Sequence, residues 1–228
     1  EAIRWPPIRR MLGIGAPIGA QMAMEYGAFG TAGLAMGLLG TVAVAGHQVA
    51  LNLSALTFMV PLGVSQATAV LVGRGVGAED PSRARRAAVG GLAVGAGFMV
   101  GTMVLFLLLP EALAGIYSDD APVVALAASL LPIAALFQVF DGIQVVGTGV
   151  LRGVGDTRAP MVLNMLGFWV LGIPLAIVRP YGAAMGPRGR WWGPAAGLMS
   201  VAVLLLLRIR TRLSGSLERI HVEEDEAR

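Results

Sequence analysis

The sequence predicts an all-α integral membrane protein built as a six-transmembrane-helix bundle. Three observations lead there. Of 228 residues, 56% are hydrophobic and 14% charged, with a mean hydropathy of +0.73; a soluble domain carries about 25% charged residues. Six apolar stretches approach the roughly 20 residues that a helix needs to cross about 30 Å of hydrocarbon. The basic residues are all arginine, and they fall between those stretches in unequal numbers.

Residues 1–11 hold Arg4, Pro6, Pro7, Arg9 and Arg10 and run directly into the first apolar stretch. They lack the layout of a signal peptide and read as a cytoplasmic loop from within a longer polypeptide. Spans are expected at residues 12–39, 47–72, 88–109, 122–150, 160–178 and 191–207, forming one unit over 12–210. Pro61 and Pro132 are expected to kink the second and fourth. Pro194 and Gly197 interrupt the sixth. The 32 glycines suit close helix approach. With no cysteine, disulfides and thiolate metal sites are excluded. The polar tail, 211–228, ends in Glu223, Glu224, Asp225 and Glu226 and reads as disordered.

Arginine placement gives the expected orientation. Arg4, Arg9 and Arg10, then Arg74, Arg83, Arg85 and Arg86, then Arg152 and Arg158, and finally Arg208, Arg210, Arg212, Arg219 and Arg228 fall on one side. Only Arg179, Arg188 and Arg190 fall on the other. The first side is therefore read as cytoplasmic, with both chain ends on that side. The lipid bilayer is the main partner. A pI near 10.2 does not imply nucleic-acid binding, because these arginines flank apolar spans. Trp5, Trp191 and Trp192 sit near expected interfaces and read as belt residues.

Two carboxylates lie inside spans. An ionised side chain at mid-bilayer costs about 2.5–3.5 kcal/mol on insertion scales, so such residues point to function. Glu25 lies near the centre of the first span and shares a helix face with Gln21 and Phe29; Tyr26 follows, about 100° around the helix. Asp141 lies in the fourth span with Gln138, Gln144 and Thr148 on its polar stripe. Counting helical rise places Asp141 roughly 5–10 Å nearer the cytoplasm than Glu25. Oxygen-rich stripes suit hard cations such as Na⁺, and a desolvated carboxyl also suits a proton. Asn52 and Asn164 are further candidates for a cavity wall. His47, at the start of the second span, has no nucleophile motif beside it, so an enzyme is not expected.

The strings APIGAQMAMEYGAF (16–29), AGHQVALN (45–52) and LRGVGDTRAP (151–160), in this order and spacing, resemble the multidrug and toxic compound extrusion (MATE) transporters. The resemblance covers the chain to about Arg210 and fits that family's C-terminal six-helix lobe. It implies a twelve-helix antiporter that expels organic cations and amphipathic compounds in exchange for Na⁺ or H⁺, with no other cofactor. It implies that Glu25 and Asp141 bind the coupling ion, and that a missing N-terminal lobe is the obligatory partner, leaving this half inactive alone. The alternatives are a flippase for lipid-linked sugars, disfavoured because no arginine lies inside a span, and a non-transporting subunit or decayed half-gene. The segment 179–192 departs from the family's regularity. RGVG occurs at Arg74–Gly77 and Arg152–Gly155. Each is expected to end a helix with glycine in the left-handed conformation.

Overall fold

The computed structural model describes residues 5–172, 174 and 186–214. Arg4, Arg179, Arg219, Arg228, residues 173 and 175–178 of the fifth expected span, and the acidic run 223–226 lie outside them. Among the described residues there is no strand. The chain runs α1 (Trp5–Gly37), α2 (Thr41–Gly77), α3 (Pro81–Leu108), a short α4 (Pro110–Gly115), α5 (Ala121–Gly153) and α6 (Arg158–Asn164). α6 continues into a π-helical stretch (Met165–Gly172), and α7 (Gly186–Ser214) follows.

Among the described residues four helices are long and apolar enough to cross a membrane: α2, α3, α5 and Trp191–Leu213 within α7. α1 has the length, 33 residues, or about 50 Å at 1.5 Å per residue. Its apolar character is diluted by Gln21, Glu25, Tyr26 and the glycines that recur along it. The fifth expected span is not one α-helix but α6 plus the π-helical stretch. Pro61 and Pro132 lie inside α2 and α5, which run on through them. α3 starts earlier than expected, so Arg83, Arg85 and Arg86 occupy its first turns rather than a loop. Pro81 sits in that first turn, where its missing N–H costs nothing, and the Asp80 side chain accepts from the Arg83 N–H at 2.9 Å.

α5 is the central helix. α2, α3 and α7 pack around it, and residues 146–151 are buried on every side. At its crossing with α2, the Ser65 hydroxyl donates to the Val145 carbonyl at 2.6 Å. A Cβ at Gly149 would collide with the Ser65 carbonyl, so only glycine allows this approach.

The two RGVG ends do not superpose in the register of the string. At α5, Gly155 takes the left-handed conformation (φ 80°) and the Asp156 N–H returns to the Leu151 carbonyl at 2.8 Å. At α2 the left-handed residue is Glu79 (φ 54°), and the Asp80 N–H returns to the Gly75 carbonyl at 3.0 Å. Gly77 remains helical. The equivalent points are Gly155–Asp156 and Glu79–Asp80, two residues out of step with the repeated letters.

Candidate functional site

Two polar layers cross the bundle along α5. In the first, Gln138 is fully buried, and all its amide chemistry is used. Its Nε2 donates to the Thr57 hydroxyl at 2.7 Å and to the Ser54 carbonyl at 3.2 Å. Its Oε1 accepts from the Thr102 hydroxyl at 3.2 Å. This amide stitches α2, α3 and α5 together and has nothing left over for a ligand.

The second layer is different. Asp141, Gln144 and Thr148 recur at three- and four-residue intervals on α5, so they share one face. All three are buried, and Asp141 Oδ1, Gln144 Oε1 and Thr148 Oγ1 have no hydrogen-bond partner among the described residues. A buried acceptor left unmade costs about 1–3 kcal/mol, so three on one stripe suit an occupant that brings a donor or a positive charge. Gln144 uses its other end on the wall opposite: Nε2 donates to Asn164 Oδ1 at 2.7 Å. Asn164, fully buried, is itself fixed by donating to the Pro160 carbonyl at 2.9 Å.

Glu25 is partly buried on α1 and faces the Gln144 side chain. Its charge acts on Asp141 and on Arg152. Gln144 and Arg152 lie one and three turns beyond Asp141 on α5. Glu25 therefore sits nearer the Arg152 end than Asp141 does, the reverse of the order expected from helical rise.

The remaining sequence candidates divide. Gln21, 3% exposed, accepts from Arg152 Nη2 at 3.3 Å. Phe29 packs on Phe168 of the π-helical stretch, centroids 6.2 Å apart. Tyr26 is 69% exposed. Asn52 is exposed, and its amide folds back onto the Gln48 carbonyl of its own helix at 2.8 Å.

Arg152 is the residue the sequence reading missed. It was assigned to a cytoplasmic loop, yet it belongs to the last turn of α5, is partly buried, and reaches inward to Gln21. The statement that no arginine lies inside a span is thus corrected. The signal was its place at a helix end, where a long side chain can turn back along the bundle.

Trp191 is also corrected. It is not an interfacial belt residue but is 5% exposed, and its Nε1 donates to Nδ1 of buried His47 at 3.2 Å. The rings of His47 and Trp191 meet edge to face at 5.5 Å, and Phe137 lies 5.6 Å from Trp191. Trp192 is half-exposed. At the other end of the bundle, Asp156 fastens three elements. Its Oδ1 accepts from the Ala159 N–H at the start of α6, and its Oδ2 accepts from Arg208 and Arg212 of α7 at 2.8–3.1 Å. Burial pushes the Asp156 carboxyl up. The Arg208 hydrogen bonds, the Ala159 N–H and the two guanidinium charges outweigh burial and hold it below the usual carboxylate range.

The family model described as MatE matches residues 17–178. The chain is 45% identical over 214 residues to the multidrug resistance protein NorM of Burkholderia vietnamiensis, covering 92% of the chain and 46% of that protein. It is 40% identical to the multidrug resistance protein MdtK of Edwardsiella ictaluri, covering 92% and 47%. The chain thus spans about half the length of the curated relatives it matches. Among solved structures, a eukaryotic MATE transporter, AtDTX14, matches with a TM-score of 0.85 at 23% identity, over 92% of this chain and 48% of that one. A transporter of the MOP superfamily from Pyrococcus furiosus matches at 0.85 and 19% identity, over 96% and 49%. These likenesses carry the fold.

Proposed function

Because the chain belongs to the multidrug and toxic compound extrusion family, we propose that it is the C-terminal lobe of an antiporter that exports organic cations and other amphipathic compounds in exchange for Na⁺ or H⁺. The observation that carries this is the row of unpartnered buried oxygens on Asp141, Gln144 and Thr148, with the Glu25 carboxylate facing it. The donor set is oxygen only. That suits a hard monovalent cation or a proton, and it is poor for soft metals that prefer sulfur or imidazole.

In this reading Asp141 and Glu25 bring the charge, while Gln144 and Thr148 bring neutral oxygens. Asn164 holds Gln144 in the orientation that turns its carbonyl oxygen toward the row. The ion enters as substrate, offsets part of the charge of the two carboxylates, and is released on the other side. Its occupancy biases the balance between outward- and inward-open states, by as much as its affinities for the two states differ. The second lobe supplies the facing cavity wall, so the 228-residue chain alone does not transport. Orientation with both ends cytoplasmic in an inner membrane rests on the arginine distribution. The flippase reading gains an interior guanidinium from Arg152, but the Glu25 charge beside it repels a pyrophosphate.

The test is efflux of a fluorescent organic cation from proteoliposomes holding the native gene product that contains this chain, under Na⁺ and H⁺ gradients imposed separately. Export driven by at least one gradient is expected. Export indifferent to both gradients would refute the antiport reading.

A further inference from the structure

Arg152 takes no part in the exchange just proposed, yet the structure places it against the site. Its Nη2 reaches Gln21 Oε1 at 3.3 Å, near the long limit for a hydrogen bond. Its Nε is buried with no partner. Gln21 and Glu25 are four residues apart on one face of α1, so the guanidinium rests about one helical turn, 5.4 Å, from the carboxylate's place on that helix. A guanidinium on a carboxylate makes shorter, stronger, often paired hydrogen bonds than on a neutral amide. A flexible cation is therefore parked on a weak partner within a turn of a strong one.

We infer that Arg152 is a tethered positive charge that competes with the coupling ion for Glu25, resting on Gln21 while the ion is bound and moving onto Glu25 when the ion leaves. The inference rests on the reading of Glu25 as an ion ligand. It has two consequences. The vacated carboxylate is never left as an uncompensated buried charge, which is costly. The apparent ion affinity is lowered by the fraction of time Glu25 is already taken, so a site held by Arg152 nine-tenths of the time needs about tenfold more ion.

The experiment measures the half-saturating ion concentration for export in proteoliposomes of the native gene product, comparing wild type with Arg152→Gln, Arg152→Lys and Glu25→Gln. Half-saturation does not depend on how much protein folds, so a poorly accumulating variant still reports. Arg152→Gln is expected to lower it about tenfold, with slower turnover at saturating ion because release is no longer assisted. Arg152→Lys keeps the charge and is expected to stay within about threefold of wild type. If Glu25→Gln keeps ion dependence, the ion site itself is misassigned. If Glu25→Gln loses it while Arg152→Gln leaves half-saturation unchanged or raised, the ion site stands and the competition is overturned. Equal shifts in Arg152→Gln and Arg152→Lys also overturn it, since the charge would not be the agent.

Discussion

Gln138 and Gln144 are the same residue on the same helix, both buried, and their circumstances are opposite. Gln138 gives and accepts through every atom of its amide, binding α2, α3 and α5 into one body. Gln144 donates to Asn164 and leaves its oxygen unmatched beside two other unmatched oxygens. Polarity inside a span is thus not evidence of a site. What separates glue from site is whether the neighbours have closed the hydrogen-bonding account.

The sharpest break of this comparison is at the carboxylates of the open layer. Asp141→Asn and Glu25→Gln are expected to reduce ion-driven export to background while the protein accumulates and unfolds near wild-type temperature, because an amide is cheaper to bury than an ionised acid. Gradient-driven efflux and thermal unfolding in detergent read the two effects separately; loss of both in parallel would make the acids structural. Next comes the closed layer. Gln138→Leu leaves the Thr57 and Thr102 hydroxyls bonded only within their own helices, to the Ser54 and Met99 carbonyls, and should cost about 0.6 kcal/mol for each interhelical hydrogen bond lost. Export per folded molecule should hold within about twofold. Gln144→Leu removes the donor to buried Asn164 Oδ1, so it should also lower stability, by about 1–3 kcal/mol, but it alone should raise half-saturation by the coupling ion severalfold. If the two leucine variants behave alike, the distinction between the layers is void.

Two smaller effects lie outside both layers. Asp156→Asn should cost about 1 kcal/mol, the modest value of a partly exposed ion pair, because Arg208 and Arg212 keep solvent contact. The Asp156 carboxyl is held below its ordinary range, so its contribution is complete above the usual carboxylate pKa. It fades only as pH falls through the lower folded value. Unfolding scans of wild type and variant should therefore differ by a constant amount from pH 8 to 5 and converge only in stronger acid. Trp191→Phe keeps most of the ring packing and removes the donor to His47, a loss of about 0.5–1.5 kcal/mol, read by the same scans.

Much of this was legible in the sequence. Apolar length and composition gave an all-α membrane bundle, and isolated acids in apolar runs singled out Glu25 and Asp141. The stripe of Gln138, Gln144 and Thr148 followed from helical spacing. Spacing along one helix could not say which of its oxygens a second helix would satisfy, so Gln138 and Gln144 looked alike. Arg152 and Trp191 were misread for a related reason: composition assigns a depth to Cα, whereas a long or broad side chain reaches elsewhere. The repeated letters RGVG misled differently, because α2 runs on through Gly77 and its left-handed residue is Glu79, two positions beyond the glycine.

The π-helical stretch Met165–Gly172 has a consequence for length variation. Its carbonyls wait one residue longer for their amides than those of an α-helix, i→i+5 in place of i→i+4. That stretch therefore stores a spare residue. A single-residue deletion there lets the chain resume ordinary α winding and hand on the same register, whereas the same deletion in the middle of α5 turns every later side chain by about 100°. A one-residue deletion is thus expected to be tolerated in the stretch after Asn164 and penalised in the middle of α5.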